Sequence, residues 1–225
     1  MTRTLLHSAL GGLVLLALAL PAVAGLFTSR NHRDGSGAIV TEIRDFGAFD
    51  RIRSSGSFDV DVTIGPVQKV TVSFDDNLID LVKTELRGRT LQIYTDGSFS
   101  SRKSCRVEIT VPALEEAIVS GSGDLVVQGL SGAEFAYDIS GSGDATLSGA
   151  VDEVRIEVSG SGDVDARDLK ARRAYVDIAG SGDVAVWASE LFEGVIAGSG
   201  DIAYYGNPEK VNRSVAGSGD IRKGE

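Results

Sequence analysis

Residues 156–166 read Ile-Glu-Val-Ser-Gly-Ser-Gly-Asp-Val-Asp-Ala, and the central Gly-Ser-Gly-Asp recurs at an almost constant interval. The tetrapeptide occurs six times, and its successive copies lie 18 to 20 residues apart. The copies begin at Gly121, Gly141, Gly160, Gly180, Gly198 and Gly217. A degenerate seventh copy is present at Ser55-Gly56-Ser57-Phe58-Asp59. A fixed period of this kind is typical of proteins that stack one small structural unit many times.

Apolar residues flank each copy at alternate positions. The residue two places before the tetrapeptide is always β-branched, and the residue directly after its aspartate is always apolar. The first row is Val119, Ile139, Val158, Ile178, Ile196 and Val215, and the second is Leu125, Ala145, Val164, Val184, Ile202 and Ile221. Alternation with a period of two places both rows on one side of a β-strand, which predicts an apolar interior.

The length of the repeat decides between the known repeat architectures. About 19 residues are too few for repeats that contain helices, which need about 33, or for a propeller blade of about 40. The sequence therefore predicts an all-β protein, a parallel β-helix (β-solenoid) with about 19 residues per coil. We expect six regular coils over 113–223 and an irregular, β-rich N-terminal cap over 46–112, with one short helix in the range 76–86.

The glycines of the repeat are predicted to be structural turn residues. A coil must turn at a fixed place, and glycine allows a positive φ or a close backbone approach that other residues resist. The predicted turn glycines are Gly121, Gly123, Gly141, Gly143, Gly160, Gly162, Gly180, Gly182, Gly198, Gly200, Gly217 and Gly219.

The aspartates of the repeat are predicted to form a column with one carboxylate per coil: Asp124, Asp144, Asp163, Asp183, Asp201 and Asp220. Neighbouring carboxylates at a strand spacing of about 4.8 Å repel by about 1 kcal/mol in water, so something must offset the repulsion. One interpretation is that each aspartate accepts N–H groups from its own turn or from the next coil. A second is that the column binds Ca²⁺ as a metal site, and a third is that it is a ridge that binds a saccharide or a protein. No other cofactor is expected.

Charge and the N-terminal sequence indicate the compartment. The chain has 32 acidic and 22 basic side chains, a net charge of −10, which argues against nucleic acid as a partner. Residues 1–24 combine Arg3, an apolar run too short to span a membrane and the site Ala22-Val23-Ala24, which predicts a signal peptide cleaved between Ala24 and Gly25. We expect a flexible lead-in over 25–45. The mature protein is then exported, does not span a membrane, and resides in the periplasm, at the cell surface or in the medium.

Several observations argue against an enzyme. The aspartates recur identically on every coil, whereas a catalytic acid and its base need different environments. Coil length varies too little to build the walls of a cleft, and the single cysteine, Cys105, is expected to be a buried apolar residue.

Tyr204 and Tyr205, with Trp187 one coil earlier, are candidates for an aromatic platform under a sugar ring, although the phase of Tyr204 favours the core.

The repeat, the segment Gly200-Asp-Ile-Ala-Tyr-Tyr-Gly-Asn-Pro208 and the closing Ala216-Gly-Ser-Gly-Asp-Ile-Arg-Lys223 resemble the "putative auto-transporter adhesin head GIN domain" family over roughly 46–223. The resemblance implies an exported β-helix that acts as an interaction or adhesion module of the envelope or cell surface. Its partner would be an envelope protein or a glycan, and the C-terminal edge would be a surface for homo-oligomers. A calcium-stabilised structural solenoid and a carbohydrate-active β-helix enzyme are the alternatives.

Overall fold

The computed structural model describes residues 32–225, and the predicted signal peptide with its cleavage site at Ala24 and Gly25 lies outside this range. The strands are β1 (His32–Asp34), β2 (Ile39–Arg44), β3 (Arg51–Gly56), β4 (Phe58–Ile64), β5 (Lys69–Asp75), β6 (Val82–Arg87), β7 (Thr90–Thr95), β8 (Ser98–Ser100), β9 (Cys105–Val111), β10 (Glu116–Gly121), β11 (Leu125–Gly141), β12 (Ala145–Gly160), β13 (Val164–Ile178), β14 (Val184–Gly198), β15 (Ile202–Gly206), β16 (Lys210–Gly217) and β17 (Ile221–Lys223). The only helix in this range is a 3₁₀ turn, Ile79–Leu81. No helix of residues 32–225 is long and apolar enough to cross a membrane.

The repeats stack in parallel as a β-solenoid, as the sequence predicted. Strands β11 to β14 each pair in parallel with the next, and equivalent residues of successive repeats lie opposite one another, as in Ile139↔Val158 and Leu125↔Ala145. Each long strand contributes to two stacks, because the first part of β11 also pairs with β4 and its last part with β10. We call the stack that follows each tetrapeptide face 1 and the stack that precedes it face 2.

The predicted apolar rows fill the interior between the faces. All residues that directly follow a repeat aspartate are buried, and so are those two places before the tetrapeptide in the first five copies. In the last copy Val215 is 44% exposed, and Val211 on the same strand is 36% exposed. These two valines have the phase of core residues, but β16 pairs only with β14, and the described chain adds no strand to its other edge.

The N-terminal cap is β-rich, and its coils do not follow chain order. Strand β3 lies between β7 and β10, and β4 lies between β9 and β11. The coil of β3 and β4 is therefore directly beneath the first regular coil, and β7 with β9 forms the coil below it. Antiparallel strands β2, β5 and β6 complete this end of the stack. The degenerate seventh copy lies in register with the true ones, since Gly56 is opposite Gly121.

Residues 32–45 differ from the flexible lead-in that we expected. Strand β2 pairs along its whole length with β5, from Ile39↔Asp75 to Arg44↔Val70. The fully buried carboxylate of Asp75 accepts hydrogen bonds from the Gly37 N–H and the Ser101 hydroxyl, each at 2.5 Å. Local sequence did not reveal this order, because it depends on partners 26 to 36 residues away in the chain.

The helix predicted over 76–86 is also wrong in extent. Only Ile79–Leu81 is helical, and β6 follows directly as one arm of a hairpin with β7. Gly88, with φ of 63°, turns the hairpin between Arg87 and Thr90. The hydrogen bonds that β6 forms with β7 stabilise this segment more than a helix of so few residues would.

Candidate functional site

Each Gly-Ser-Gly-Asp copy forms the corner where the chain passes from face 2 to face 1. Before the aspartate, the serine N–H donates a hydrogen bond to the carbonyl oxygen of the first glycine in the coil below, as in Ser161 N to Gly141 O at 2.9 Å. After the aspartate the N–H groups donate to the coil above instead, as in Ala145 N to the carbonyl oxygen of Asp163 at 2.8 Å. The backbone ladder is therefore complete on both sides of each aspartate below the last coil.

The aspartate side chains continue the ladder through the corner itself. Oδ1 of each aspartate accepts the N–H of the aspartate in the next coil, at 2.8 to 3.0 Å, in five successive pairs that run from Asp124 to Asp220. Of the interpretations that the sequence allowed, this is the one in which each aspartate accepts an N–H group from the next coil. Hydrogen bonds of an N–H to a carboxylate are charge-assisted, and they offset the repulsion within the column.

The corner glycines approach the coil below too closely for a side chain. A Cβ on Gly162 would overlap the carbonyl oxygen of Gly143, and a Cβ on Gly160 would overlap that of Gly141. The same overlap holds for both glycines of every copy. At Gly121 a φ of 141° adds a second reason, but close approach is the reason that all twelve share.

The corner column as a whole has the chemistry of a structural element. Its serines and most of its aspartates are exposed, and one oxygen of each aspartate below the last coil is engaged by backbone. In residues 32–225 no group of three or more His, Cys, Asp or Glu side chains is arranged to hold a metal ion.

A second acidic column lies on the outer side of face 2. Asp138, Glu157 and Asp177 occupy three successive coils in register. The pKa of the Asp138 carboxyl is raised, first by partial burial and then by the charges of Glu157 and Glu116, while Arg53 opposes the shift. Burial and repulsion thus both act against the ionised form of Asp138, which has no backbone donor in the described chain of the kind that satisfies the corner aspartates.

The aromatic candidates separate into one core residue and two surface residues. Tyr204 is buried and stacks on Phe192, with ring centroids 4.6 Å apart and planes at 16°. Trp187 and Tyr205 point outward, are partly exposed and lie in register on β14 and β15. The proposed platform therefore reduces to Trp187 and Tyr205.

A cationic side chain lies near each of these two aromatic rings, and the sequence spacing did not reveal which cation contacts which ring. Arg167 and Trp187 each lie four residues after the aspartate of their repeat, so the spacing predicts that they are neighbours in successive coils. A register shift between Ala166 and Lys170 instead places Lys170 opposite Trp187, with its Nζ 5.1 Å from the ring centroid. Arg167 lies 6.0 Å from the Tyr205 ring and is ion-paired with Asp165 at 2.5 Å.

Cys105 is in the core, as the sequence indicated. It is 2% exposed at the start of β9, and burial raises the pKa of its thiol to about 12. A thiol with so high a pKa carries almost no thiolate at neutral pH and is a poor nucleophile.

Comparison with known proteins agrees with this architecture. The sequence profile of the family described as "Putative auto-transporter adhesin, head GIN domain" matches residues 48–208. The chain belongs to this family. The match covers the interleaved coils of the cap and the repeat as far as Pro208. A search of curated proteins gives no match.

Solved structures of several bacterial proteins have a similar fold. A "putative adhesin" from Bacteroides fragilis is 22% identical, covers 84% of this chain and 99% of its own, and superposes with a TM-score of 0.70. A "putative lipid binding protein" from Parabacteroides distasonis is 26% identical over 87% of this chain and 100% of its own, with a TM-score of 0.59. A "putative adhesin" from Parabacteroides merdae is 19% identical over 86% of this chain and 99% of its own, with a TM-score of 0.55.

Proposed function

We propose that this GIN-domain protein is an exported, non-catalytic adhesion module of the cell envelope or cell surface. The observation that carries the proposal is the family match across 48–208, together with structural neighbours that are described as adhesins. The architecture suits such a role, because stacked coils provide long, rigid outer faces on which weak contacts can be repeated.

The geometry of the aspartates supports a non-catalytic role. The repeat carboxylates from Asp124 to Asp201 have the same hydrogen-bond partner on every coil. Acid–base catalysis by a carboxylate pair needs two environments that separate the two pKa values. The repeat instead provides one environment, copied along the stack.

A bead-retention experiment tests adhesion. Fluorescent beads coated with the purified chain are applied to bacterial envelope fractions, to immobilised polysaccharides and to epithelial cell layers. Beads coated with the heat-unfolded chain serve as the control. We expect saturable retention above the control on at least one surface, and retention equal to the control on all of them would overturn the proposal.

Two further measurements test the other parts of the proposal. Incubation with envelope polysaccharides should release no new reducing ends, and a release that Asp163→Asn abolishes would show an enzyme instead. For export, a chain expressed from Met1 should be recovered from the periplasm or the outer surface in a cleaved form, with Gly25 as its first residue by mass spectrometry. Recovery of the uncleaved chain in the cytoplasm would contradict the signal-peptide interpretation.

A further inference from the structure

An open depression lies beside Trp187, on the outer side of the turn that joins face 1 to face 2. Its volume is about 330 Å³, and small residues are part of its lining, among them Gly132, Ala150 and Ala171. A volume of this size is at the lower end of the range of small-molecule sites and is enough for one or two sugar rings.

One wall of the depression carries a cation without an acidic partner. Lys170 lies over the Trp187 ring and donates a hydrogen bond to the backbone carbonyl of Arg167 at 2.7 Å. Among the described residues no carboxylate lies within ion-pair distance of its ammonium group. One positive charge is thus left uncompensated here, on a chain whose net charge is −10.

The lining of the depression also carries both hydrogen-bond donors and acceptors. Arg172 is held by Glu190 at 2.7 Å and by Asp152 at 3.5 Å, and Ser189 lies beside them. These ion pairs neutralise Arg172, but they leave polar atoms at the rim. A carboxylate and a guanidinium together can satisfy the hydroxyl groups of a ligand, which both donate and accept.

We propose that this depression, which we call the Trp187 site, binds an acidic saccharide. The sugar carboxylate pairs with Lys170, the pyranose ring contacts the part of the Trp187 indole that Lys170 leaves uncovered, and the hydroxyls bond to Asp152 and Arg172. A saccharide fits better than a peptide side chain, because the site is shallow and its lining combines small residues with charged and hydroxyl groups. The inference rests on the proposed adhesion function, since it names the chemistry of the partner.

The chain offers a direct optical test. Trp187 is its only tryptophan, so the intrinsic tryptophan fluorescence reports on this site alone. The full chain is titrated with hexagalacturonate as the acidic probe and with maltohexaose as the neutral one. We expect a saturable change in fluorescence with hexagalacturonate that weakens as salt is added, and a weaker response to maltohexaose. The absence of a saturable change with hexagalacturonate at millimolar concentration would overturn the proposal.

A pair of matched variants tests the role of the cation. Lys170→Met keeps most of the aliphatic stem and removes the charge, and calorimetry should show hexagalacturonate binding about tenfold more weakly. Lys103→Met removes a charge from an exposed lysine outside the site and should leave the affinity unchanged. Equal affinities of the wild type and Lys170→Met would overturn the proposal, and circular dichroism confirms that both variants fold.

The bead assay separates this inference from the broader proposal. If wild-type beads are retained and Lys170→Met beads are retained equally well on every surface, the Trp187 site is wrong and the adhesion function stands. If wild-type beads are not retained anywhere, the adhesion function fails, and the hexagalacturonate titration still decides the site. A fluorescence response to anionic lipid vesicles in place of hexagalacturonate would identify a lipid ligand and overturn the saccharide assignment.

Discussion

A single side-chain oxygen per coil carries the hydrogen-bond ladder around each corner. Where the backbone turns, the aspartate N–H of the upper coil meets Oδ1 of the aspartate below, as in Asp183 N to Asp163 Oδ1 at 2.8 Å. The carboxylate thus takes the place of a backbone carbonyl. This explains why the same acid recurs in the five copies that have a coil above them, even though neighbouring charges repel.

Two substitutions at Asp163 separate the acceptor from the charge. Asp163→Ala leaves the Asp183 N–H without its partner and should cost about 1 kcal/mol in the free energy of unfolding. Asp163→Asn keeps an acceptor oxygen and removes one repelling charge, so its effect should stay within about 0.5 kcal/mol. Urea unfolding followed by circular dichroism measures both, and an equal loss in the two variants would contradict the acceptor role.

The hydroxyl of Tyr137 is a second feature at the residue scale. Tyr137 is fully buried on the inner side of β11, and its Oη has no hydrogen-bond partner. Burial raises the pKa of the phenol, and the charges of Asp124 and Asp144 raise it further.

Tyr137→Phe should therefore stabilise the protein. The phenylalanine ring fills the same space and removes an unsatisfied polar atom, so we expect a gain of about 1 kcal/mol in the free energy of unfolding. Thermal unfolding measures the effect, and Tyr204→Phe in the same core serves as the comparison. A loss of stability in Tyr137→Phe would show that the hydroxyl has a partner after all.

At the scale of one coil, the glycines set how tightly the coils can stack. The corner carries two glycines because its backbone lies directly on the carbonyls of the coil beneath, as Gly162 does on Gly143. The cap follows the same rule in part. There Gly56 lies under Gly121, while Phe58 replaces the second glycine and its side chain enters the core.

Gly162→Ala tests the stacking argument. Its Cβ would overlap backbone atoms that cannot move without parting two coils, and we expect a loss of about 3 kcal/mol. Gly47→Ala is the matched control, because a Cβ there would meet only a Leu86 methyl group at 3.5 Å. Urea midpoints compare the two variants, and a mild effect at Gly162 would show that the coils can separate locally.

For the whole molecule, the distribution of charge sets the response to pH. The pKa of Asp138 is raised in the folded state, so its ionised form destabilises the fold relative to the unfolded chain. The penalty is fully present above the raised pKa and disappears as the pH falls below the ordinary aspartate value. The pKa of Asp165 is lowered, chiefly by hydrogen bonding to Arg167, and its contribution has the opposite sign.

Asp138→Asn should therefore raise the melting temperature at pH 7, and the gain should shrink as the pH falls toward about 4. Asp165→Asn should lower the melting temperature at pH 7, and because the pKa of Asp165 is lowered, most of this loss should persist at pH 4 and disappear only as the pH falls through the lowered pKa. Melting curves between pH 7 and about 3 measure both variants. A gain from Asp138→Asn that is equally large at pH 7 and at about pH 4 would mean that the ionised carboxylate is not its cause.

The end of the stack at β16 is protected by charge. Arg213 lies in register with Gly194, in the phase of the core, and its guanidinium donates to the Ile221 carbonyl across the end of the stack at 3.0 Å. Charged side chains that point inward on an edge strand are a known device against edge-to-edge pairing.

Arg213→Val should promote self-association. It would join the exposed Val211 and Val215 into one apolar row on an open edge, and light scattering after size exclusion should show dimers or larger species. Ser214→Val adds an equal apolar surface in the opposite phase and should remain closer to the wild type. A monomeric Arg213→Val would show that the edge is protected by something other than this charge.

The sequence alone determined the architecture of the repeat, the identity of its corners and the inward phase of its apolar rows. These features depend on local periodicity and on backbone geometry that recurs identically in every coil, so each copy reinforces the same inference. It also placed Cys105 and Tyr204 in the core, because the alternation of the strands decides which side chains point inward.

Only the tertiary structure decided the features that depend on which distant segments meet. The order of the cap coils, the pairing of β2 with β5 and the open edge at β16 all follow from contacts that no local pattern encodes. The Trp187 site illustrates the same limit, because a register shift within β13 puts Lys170, and not Arg167, beside the indole. Periodicity predicts the average coil, whereas binding chemistry depends on where one coil departs from it.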